Sequence, residues 1–153
     1  MSAEPVSRAV DLGYGWTKVS TGDGGIKSFQ SLPWRNPRSL SAGDVPSQVM
    51  TVVVGGVPYG VSDEPEIYAP PDVTRVRGDG YVSSEQYAVC MAAAVKVMRV
   101  PSLQRLVVGT PVGNYDSARK ELHKRFGSGV TFDTTHVPIS QLQVVPQPIG
   151  GLA

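Results

Sequence analysis

The sequence has little cysteine, little net charge and no long apolar run, and each shortage excludes a class of protein. Cys90 is the single cysteine among 153 residues, so an intrachain disulfide is excluded. A four-ligand zinc site would have to draw on scattered carboxylates and histidines instead. We therefore expect Cys90 to fill space in the hydrophobic core.

Charge and hydropathy favour a compact domain in the cytoplasm. The formal net charge of +1 gives no general attraction to nucleic acid or to an anionic membrane, so we expect neither as a direct partner. No apolar stretch approaches the ~20 residues that a membrane helix needs. The first residues, MSAEPVSRAVDLG, lack the basic start and apolar core of a secretory signal, which also favours the cytoplasm.

The first half of the chain predicts a β-meander and a hairpin. The stretch 33–48 is rich in proline, serine and arginine without periodicity, which predicts a loop. A hairpin is expected over 50–61, because Gly55-Gly56 can supply the positive φ angles of a two-residue turn. A second loop is expected over 62–79. Apolar runs between turn signals predict the meander strands at 7–12, 16–21 and 25–32.

The second half alternates helices and strands. A helical period follows Ser83, which we expect as N-cap, with Gln86 completing a capping box. A second helix is expected over 117–126, capped by Asp116. Further strands are predicted at 103–112, 130–133 and 141–145. This order of elements indicates an α/β domain with a mixed sheet and helices packed against it.

Residues 11–18 read DLGYGWTK and join the first two predicted strands. Two glycines permit a sharp turn, and such a turn can aim several backbone N–H groups at one anion, with Lys18 beside a phosphate. An acid at this position would repel phosphate, so Asp11 is better placed to hold a hydrated Mg²⁺. On these eight residues alone, a plain hairpin with a glycine bulge explains the pattern as well.

Four further segments accompany this turn in order along the chain. They are FQSLP (29–33), VVVGGVPYGV (52–61), VVGTPVGNY (107–115) and VVPQPIGGL (144–152). Together with DLGYGWTK they resemble the actin-like ATPases, in particular the bacterial ParM/StbA group and the plasmid-associated PRTRC system protein D family. The resemblance implies an actin-like (ribonuclease H-like) ATPase fold of which only the N-terminal half is expected here.

The resemblance also implies a division of the chain and half of a nucleotide cleft. Subdomain IA would comprise 1–32 and 81–153 and contain a mixed five-stranded sheet with helices packed on it, and the small subdomain IB would comprise about 33–80. Since an actin-like protein builds its cleft from two halves, we expect ATP hydrolysis in the whole protein and not in this half alone. The expected partners are copies of the protein in a filament and a DNA-binding adaptor, in plasmid segregation or maintenance.

The resemblance assigns roles to residues of this sequence. Asp11 would hold the hydrated Mg²⁺, Lys18 would neutralise phosphate charge and Gln147 would orient the attacking water. A neutral amide suits that last task, since phosphoryl transfer depends mainly on positioning and electrostatics. The turn whose N–H groups would hold the β- and γ-phosphates of ATP consists of Gly13, Tyr14, Gly15, Trp16 and Thr17.

Other interpretations stay open at this point. A sugar or acetate kinase of the same wider fold would share an acid-glycine phosphate loop, and a binding module could use this half-fold without nucleotide. Trp34, Arg35 and Arg38 read as a solvated loop that could touch DNA or a neighbouring subunit. Tyr59 and Tyr68 are candidates for a contact between protomers.

Overall fold

The computed structural model describes residues 6–35, 49–78, 80–111 and 115–147. Within these residues the chain forms two β-sheets and three α-helices. The strands are β1 (Ser7–Leu12), β2 (Trp16–Ser20), β3 (Ile26–Gln30), β4 (Trp34–Arg35), β5 (Val49–Val54), β6 (Val57–Ser62), β7 (Leu103–Thr110), β8 (Gly129–Phe132) and β9 (Thr135–Pro146). The helices are α1 (Pro65–Tyr68), α2 (Glu85–Met98) and α3 (Tyr115–Phe126), with a 3₁₀ turn at Tyr81–Ser83.

The larger sheet has the strand order β3-β2-β1-β7-β9-β8. Strands β1, β7 and β9 are parallel neighbours, and the remaining pairs are antiparallel. The predicted mixed sheet with flanking helices is therefore confirmed. The predicted count of five strands is wrong, because six are present in the described residues. Each of the six overlaps a strand predicted from the sequence. Strand β9 differs most, because it begins at Thr135, before the predicted start at 141, and its first residues, Pro138 among them, pair with β8 as a hairpin.

Helix α2 covers one face of the larger sheet. Apolar side chains alternate along the strands, so that Val10, Leu12 and Val19 lie buried on the α2 side. Cys90 of α2 is fully buried, and this burial raises the pKa of its thiol to about 12. The prediction that Cys90 belongs to the core is confirmed.

The smaller sheet has the order β4-β6-β5, and the hairpin within it was predicted correctly. Gly55 and Gly56 both adopt positive φ angles, 60° and 82°, as a two-residue turn requires. The ring of Trp34 packs on Gly60, where a Cβ would lie 2.5 Å from the indole. Glycine is needed at position 60 for this close approach.

Two surface interpretations of this region, those of Trp34 and Tyr59, are wrong. Trp34 is 4% exposed and therefore belongs to the interior rather than to a solvated loop. Tyr59 is buried and donates a hydrogen bond to the Glu85 carboxylate at the start of α2. Arg35 lies in strand β4, where its side chain is exposed, as expected, and forms an ion pair of 2.5 Å with the same carboxylate. Arg38 lies outside the described residues.

The helix starts also differ from the predictions. Ser84, not Ser83, caps α2, because the N–H of Tyr87 donates to the Ser84 hydroxyl at 3.1 Å. Gln86 forms no capping box and instead contacts the loop before the helix. Helix α3 begins before Asp116, so that this residue lies in the first turn and not at the N-cap.

Two more observations complete the fold. Helix α1 interrupts the stretch 62–79 that was predicted as a loop. None of the described helices has the length and apolar character to cross a membrane. The described part of 33–80 contains the smaller sheet, whereas the strands of the larger sheet come from residues before and after it.

Candidate functional site

The carboxyl ends of three parallel strands meet at one edge of the larger sheet. Asp11 lies near the end of β1, Gly109 near the end of β7, and Gln147 directly after β9. Asp11 pairs with Gly109 in the strand register, and Gly109 pairs with Val145. In open α/β sheets, ligands bind in the crevice outside such strand ends. The topology thus gathers polar groups from three distant parts of the sequence.

Gln147 is tied to this edge by its backbone and by its side chain. Its N–H donates to the carbonyl of Thr110 at 2.8 Å. Its Nε2 donates to Oδ1 of Asp11 and, at 3.4 Å, to the carbonyl of Gly109. Because both side-chain bonds use Nε2, Oε1 is the atom of this amide that can accept a hydrogen bond from a water.

Asp11 and Lys18 face each other across the antiparallel pair of β1 and β2. Burial raises the pKa of the Asp11 carboxyl above its ordinary value, and the charge of Lys18 only partly offsets this. Within the described residues the two side chains form no ion pair at 4.0 Å or less. The Lys18 ammonium therefore remains available to an anion beside the carboxylate.

Open space adjoins these groups on the sheet face opposite α2. A Cβ at Gly109 would lie 3.3 Å from Oδ1 of Asp11, so a side chain there would crowd the carboxylate. Glycine at position 109 thus keeps the approach to Asp11 open. The cavity has a volume of about 390 Å³, and its lining includes Asp11, Lys18, Ile26, Gly109, Val145 and Gln147.

The turn between β1 and β2 is closed by a hydrogen bond of 3.0 Å from the N–H of Gly13 to the carbonyl of Trp16. Neither Gly13 nor Gly15 has a left-handed backbone. Glycine is favoured at position 13 because a Cβ would lie 3.1 Å from that same carbonyl oxygen, a tight contact. At Gly15 a Cβ would meet nothing within 4 Å, so the space beside the tip of the turn is open.

The remaining side chains of the turn point to different surroundings. The Tyr14 ring packs on Tyr81 with centroids 4.9 Å apart, away from Asp11. The Thr17 hydroxyl is buried and shares a hydrogen bond of 2.8 Å with Ser31. Trp16 is 44% exposed. Of the predicted site residues, the structure therefore gathers the side chains of Asp11, Lys18 and Gln147 and places those of Tyr14 and Thr17 elsewhere.

Two residues that contact the turn were missed in the sequence. Arg75 donates to the carbonyls of Tyr14 and Gly15 at 3.3 and 3.1 Å. The Tyr81 hydroxyl donates to the carbonyl of Gly13 at 2.7 Å. Both lie 60 or more positions from the turn residues that they contact, in or after a stretch read as a loop, so no local pattern could have placed them there.

The donor set at the strand ends fits a hydrated Mg²⁺ with phosphate better than a metal held by protein alone. In the described part of the chain, no three His, Cys, Asp or Glu side chains are close enough to form a metal cage. Mg²⁺ keeps several waters and needs only one or two carboxylates beside substrate phosphates. Asp11 supplies one carboxylate in reach of open space, and Lys18 supplies a cation for phosphate.

Comparison with known proteins agrees on one family. Residues 9–150 match the family described as Actin like proteins N terminal domain. A search of the curated proteins gives no match.

Solved structures with the same fold include an archaeal actin homolog, Ta0583, at 24% identity and a TM-score of 0.70, covering 93% of this chain and 45% of that one. The apo psk41 ParM protein aligns at 11% identity and a TM-score of 0.71, covering 97% and 51%. AlfA in a filament bound to AMPPNP aligns at 14% identity and a TM-score of 0.67, covering 95% and 56%. The chain thus spans about half the length of these proteins.

Proposed function

Because the chain belongs to the family of actin-like proteins, matching their N-terminal domain, we propose that it supplies one half of an Mg-ATP cleft in a filament-forming protein. The observation that carries this proposal is the meeting of Asp11, Lys18 and Gln147 at the ends of adjacent strands, beside an open cavity. A protein that binds a Mg-bound phosphate needs a carboxylate for the hydrated metal, a cation for the phosphate and a polar group for the attacking water, and these three residues supply a carboxylate, an ammonium and an amide.

Each of these residues has a distinct role in the proposed cleft. Asp11 would hold the hydrated Mg²⁺, and Lys18 would bind a phosphate oxygen by charge. Gln147 donates its Nε2 hydrogens to Asp11 and Gly109, so its Oε1 is oriented to accept from a water and to position it. When bound, Mg-ATP supplies the phosphoanhydride bond and the neutralising charge.

The proposed role of the turn concerns its backbone more than its side chains. The N–H of Gly13 is already bonded within the turn, which leaves those of Tyr14, Gly15 and Trp16 as the stronger candidates for phosphate. Thr17 would act by supporting the turn from the core through Ser31. The open space beside Gly15 allows an anion to approach the backbone closely.

Assembly and cellular role are part of the same proposal. AlfA is known as a filament bound to AMPPNP and comes from the B. subtilis plasmid pLS32. The archaeal homolog has been solved in complex with ADP. A ParM from Clostridium botulinum forms a 15-stranded filament. By analogy, this chain would take part in a cytoplasmic, nucleotide-dependent filament that segregates or maintains plasmids, with a DNA-binding adaptor. Within the family we place it nearest to PRTRC system protein D, on the five segments named above.

The domain division belongs to this proposal as well. We assign 1–32 and 81–153 to subdomain IA and about 33–80 to subdomain IB, in keeping with the two sheets. A sugar or acetate kinase is not favoured, since the matching family is the actin-like one. ATP hydrolysis is assigned to the whole protein, because this chain contains only one of the two halves that would enclose the nucleotide.

Phosphate release by the full gene product tests the proposal. The Asp11→Ala and Lys18→Ala variants should lose Mg-ATP hydrolysis by a factor of about 100 or more, as loss of transition-state electrostatics typically does. Lys27→Ala is the matched control, because Lys27 is an exposed lysine of the neighbouring strand β3 and does not line the cavity. Unchanged phosphate release in both site variants would remove the assignment.

A further inference from the structure

The carbonyl groups of Gly13, Tyr14 and Gly15, at the tip of the turn, all accept hydrogen bonds from other parts of the chain. The Tyr81 hydroxyl donates to the carbonyl of Gly13, and the Arg75 guanidinium bridges the carbonyls of Tyr14 and Gly15. The N–H of Ser31 adds a hydrogen bond of 2.9 Å to Gly15. The turn is therefore held from outside by donors that come from distant parts of the chain.

The geometry of the peptide unit fixes what this does to the N–H groups. The described peptide bonds are trans, and in a planar trans unit the C=O and N–H bonds point in opposite directions. With the three carbonyls directed at Tyr81 and Arg75, the N–H groups of Tyr14, Gly15 and Trp16 point away from these donors. Each of these N–H groups is thus offered on the side of its peptide unit that bears no carbonyl oxygen.

A glycine-containing turn needs such restraint. Glycine allows both signs of φ at little cost, so the peptide units around Gly15 can rotate with a small barrier. A rotation would replace an N–H by a carbonyl oxygen, which repels phosphate. Since one guanidinium holds the carbonyls on both sides of Gly15, it opposes the rotation of both units.

Arg75 is itself firmly placed. The side chain of Gln86 accepts from the N–H of Val76 at 2.9 Å and donates to the carbonyl of Thr74 at 2.6 Å, so it fixes the backbone on either side of Arg75. The guanidinium also donates to Oε1 of Gln30, whose Nε2 donates to the carbonyl of Asp63 at 3.0 Å. The fork of Arg75 therefore bridges the turn and β3, and Gln30 extends this network to the residue directly after β6.

We propose that Arg75 is a positioning residue that keeps the N–H groups of the turn Gly13–Trp16 directed at the phosphates by holding the carbonyls of Tyr14 and Gly15. This inference rests on the proposed function for the identity of the anion. A planar guanidinium can make several directed bonds at once, whereas a lysine ammonium is a single flexible point charge. The role therefore depends on the fork as well as on the charge.

The test is backbone NMR relaxation of the full gene product without nucleotide, combined with equilibrium binding of Mg-ATP. In Arg75→Gln, the order parameters of the amides of residues 14–16 should fall from about 0.85 to below about 0.6, because their peptide units are no longer held, while those of β7 are unchanged. Mg-ATP affinity should fall about tenfold, because a hydrogen bond from a charged donor is lost. Arg77→Gln, two residues along in the same loop and exposed, should change neither.

The outcomes are separable. Unchanged order parameters at 14–16 in Arg75→Gln overturn the inference, whatever happens to nucleotide binding. If order parameters fall throughout the protein, Arg75→Lys decides: a fall confined to the turn supports the inference, and its absence overturns it. If the unaltered protein does not bind Mg-ATP, the proposed function fails, and the order parameters of the turn still decide whether Arg75 positions it.

Discussion

Replacing Asp11 by asparagine should separate the function of this carboxylate from its contribution to stability. Asparagine retains an oxygen that can accept from Nε2 of Gln147 and removes only the charge. Burial raises the pKa of Asp11 despite Lys18, which means that the folded protein holds the charged form less favourably than the unfolded chain does. Ionised Asp11 therefore costs stability in the nucleotide-free protein.

The sign of this effect predicts a particular pH dependence. Below the ordinary value of 3.8, the carboxyl is protonated in both the folded and unfolded states and makes no difference. As the pH rises through the raised pKa of the folded state, the unaltered protein loses stability and Asp11→Asn does not. Because water screens a carboxylate that is only partly buried, we expect the variant to be more stable at pH 7 by no more than about 0.5 kcal/mol.

Urea denaturation without nucleotide, from pH 3.5 to 8, measures this difference, and phosphate release measures the function. Asp133→Asn is the matched control, because burial tends to raise the pKa of Asp133 but the contacts with Lys96 and Val53 lower it on balance. That control should lose about 0.5–1 kcal/mol at pH 7. The reasoning would be refuted if Asp11→Asn lost more than about 1 kcal/mol and still hydrolysed Mg-ATP, since Asp11 would then be structural.

Two further predictions follow from close contacts. Gly109→Ala would place a Cβ 3.3 Å from Oδ1 of Asp11. We expect this variant to fold and to bind Mg-ATP about tenfold more weakly in a calorimetric titration. Unchanged affinity would show that the approach to Asp11 does not limit nucleotide binding. Asp133 has a φ of 54°, and its carboxylate accepts a hydrogen bond from the Val53 N–H at 2.8 Å. Asp133→Ala should therefore cost about 2–3 kcal/mol of unfolding free energy, and Asp133→Gly about 1 kcal/mol less. Equal losses in the two variants would contradict a contribution from backbone strain.

The sequence predicted best those elements whose signals are local. Strand β1 and the β5–β6 hairpin are found where alternation and the Gly55-Gly56 pair placed them. Strand β9 was only half predicted, because its first residues carry Pro138 and polar side chains whose strand conformation depends on pairing with β8. Tertiary contacts of this kind leave no periodic trace.

The candidate site divides in the same way. The acid, glycines and lysine of DLGYGWTK indicated a phosphate turn, but its partner Gln147 lies 136 positions from Asp11 and was reached only through the family resemblance. Arg75 gave no signal, because an arginine in a polar stretch is typical of any surface. Its role depends on contacts with residues about 60 positions away, which only the folded chain brings together.

The most direct test of the central claim is a structure of the full gene product with Mg²⁺ and a non-hydrolysable ATP analogue. We expect the terminal phosphates beside the N–H groups of the Gly13–Trp16 turn, within about 3 Å of the Lys18 ammonium, and a hydrated Mg²⁺ near Asp11. A nucleotide bound away from these residues, or no bound nucleotide at saturating concentration, would contradict the assignment of the phosphate cleft.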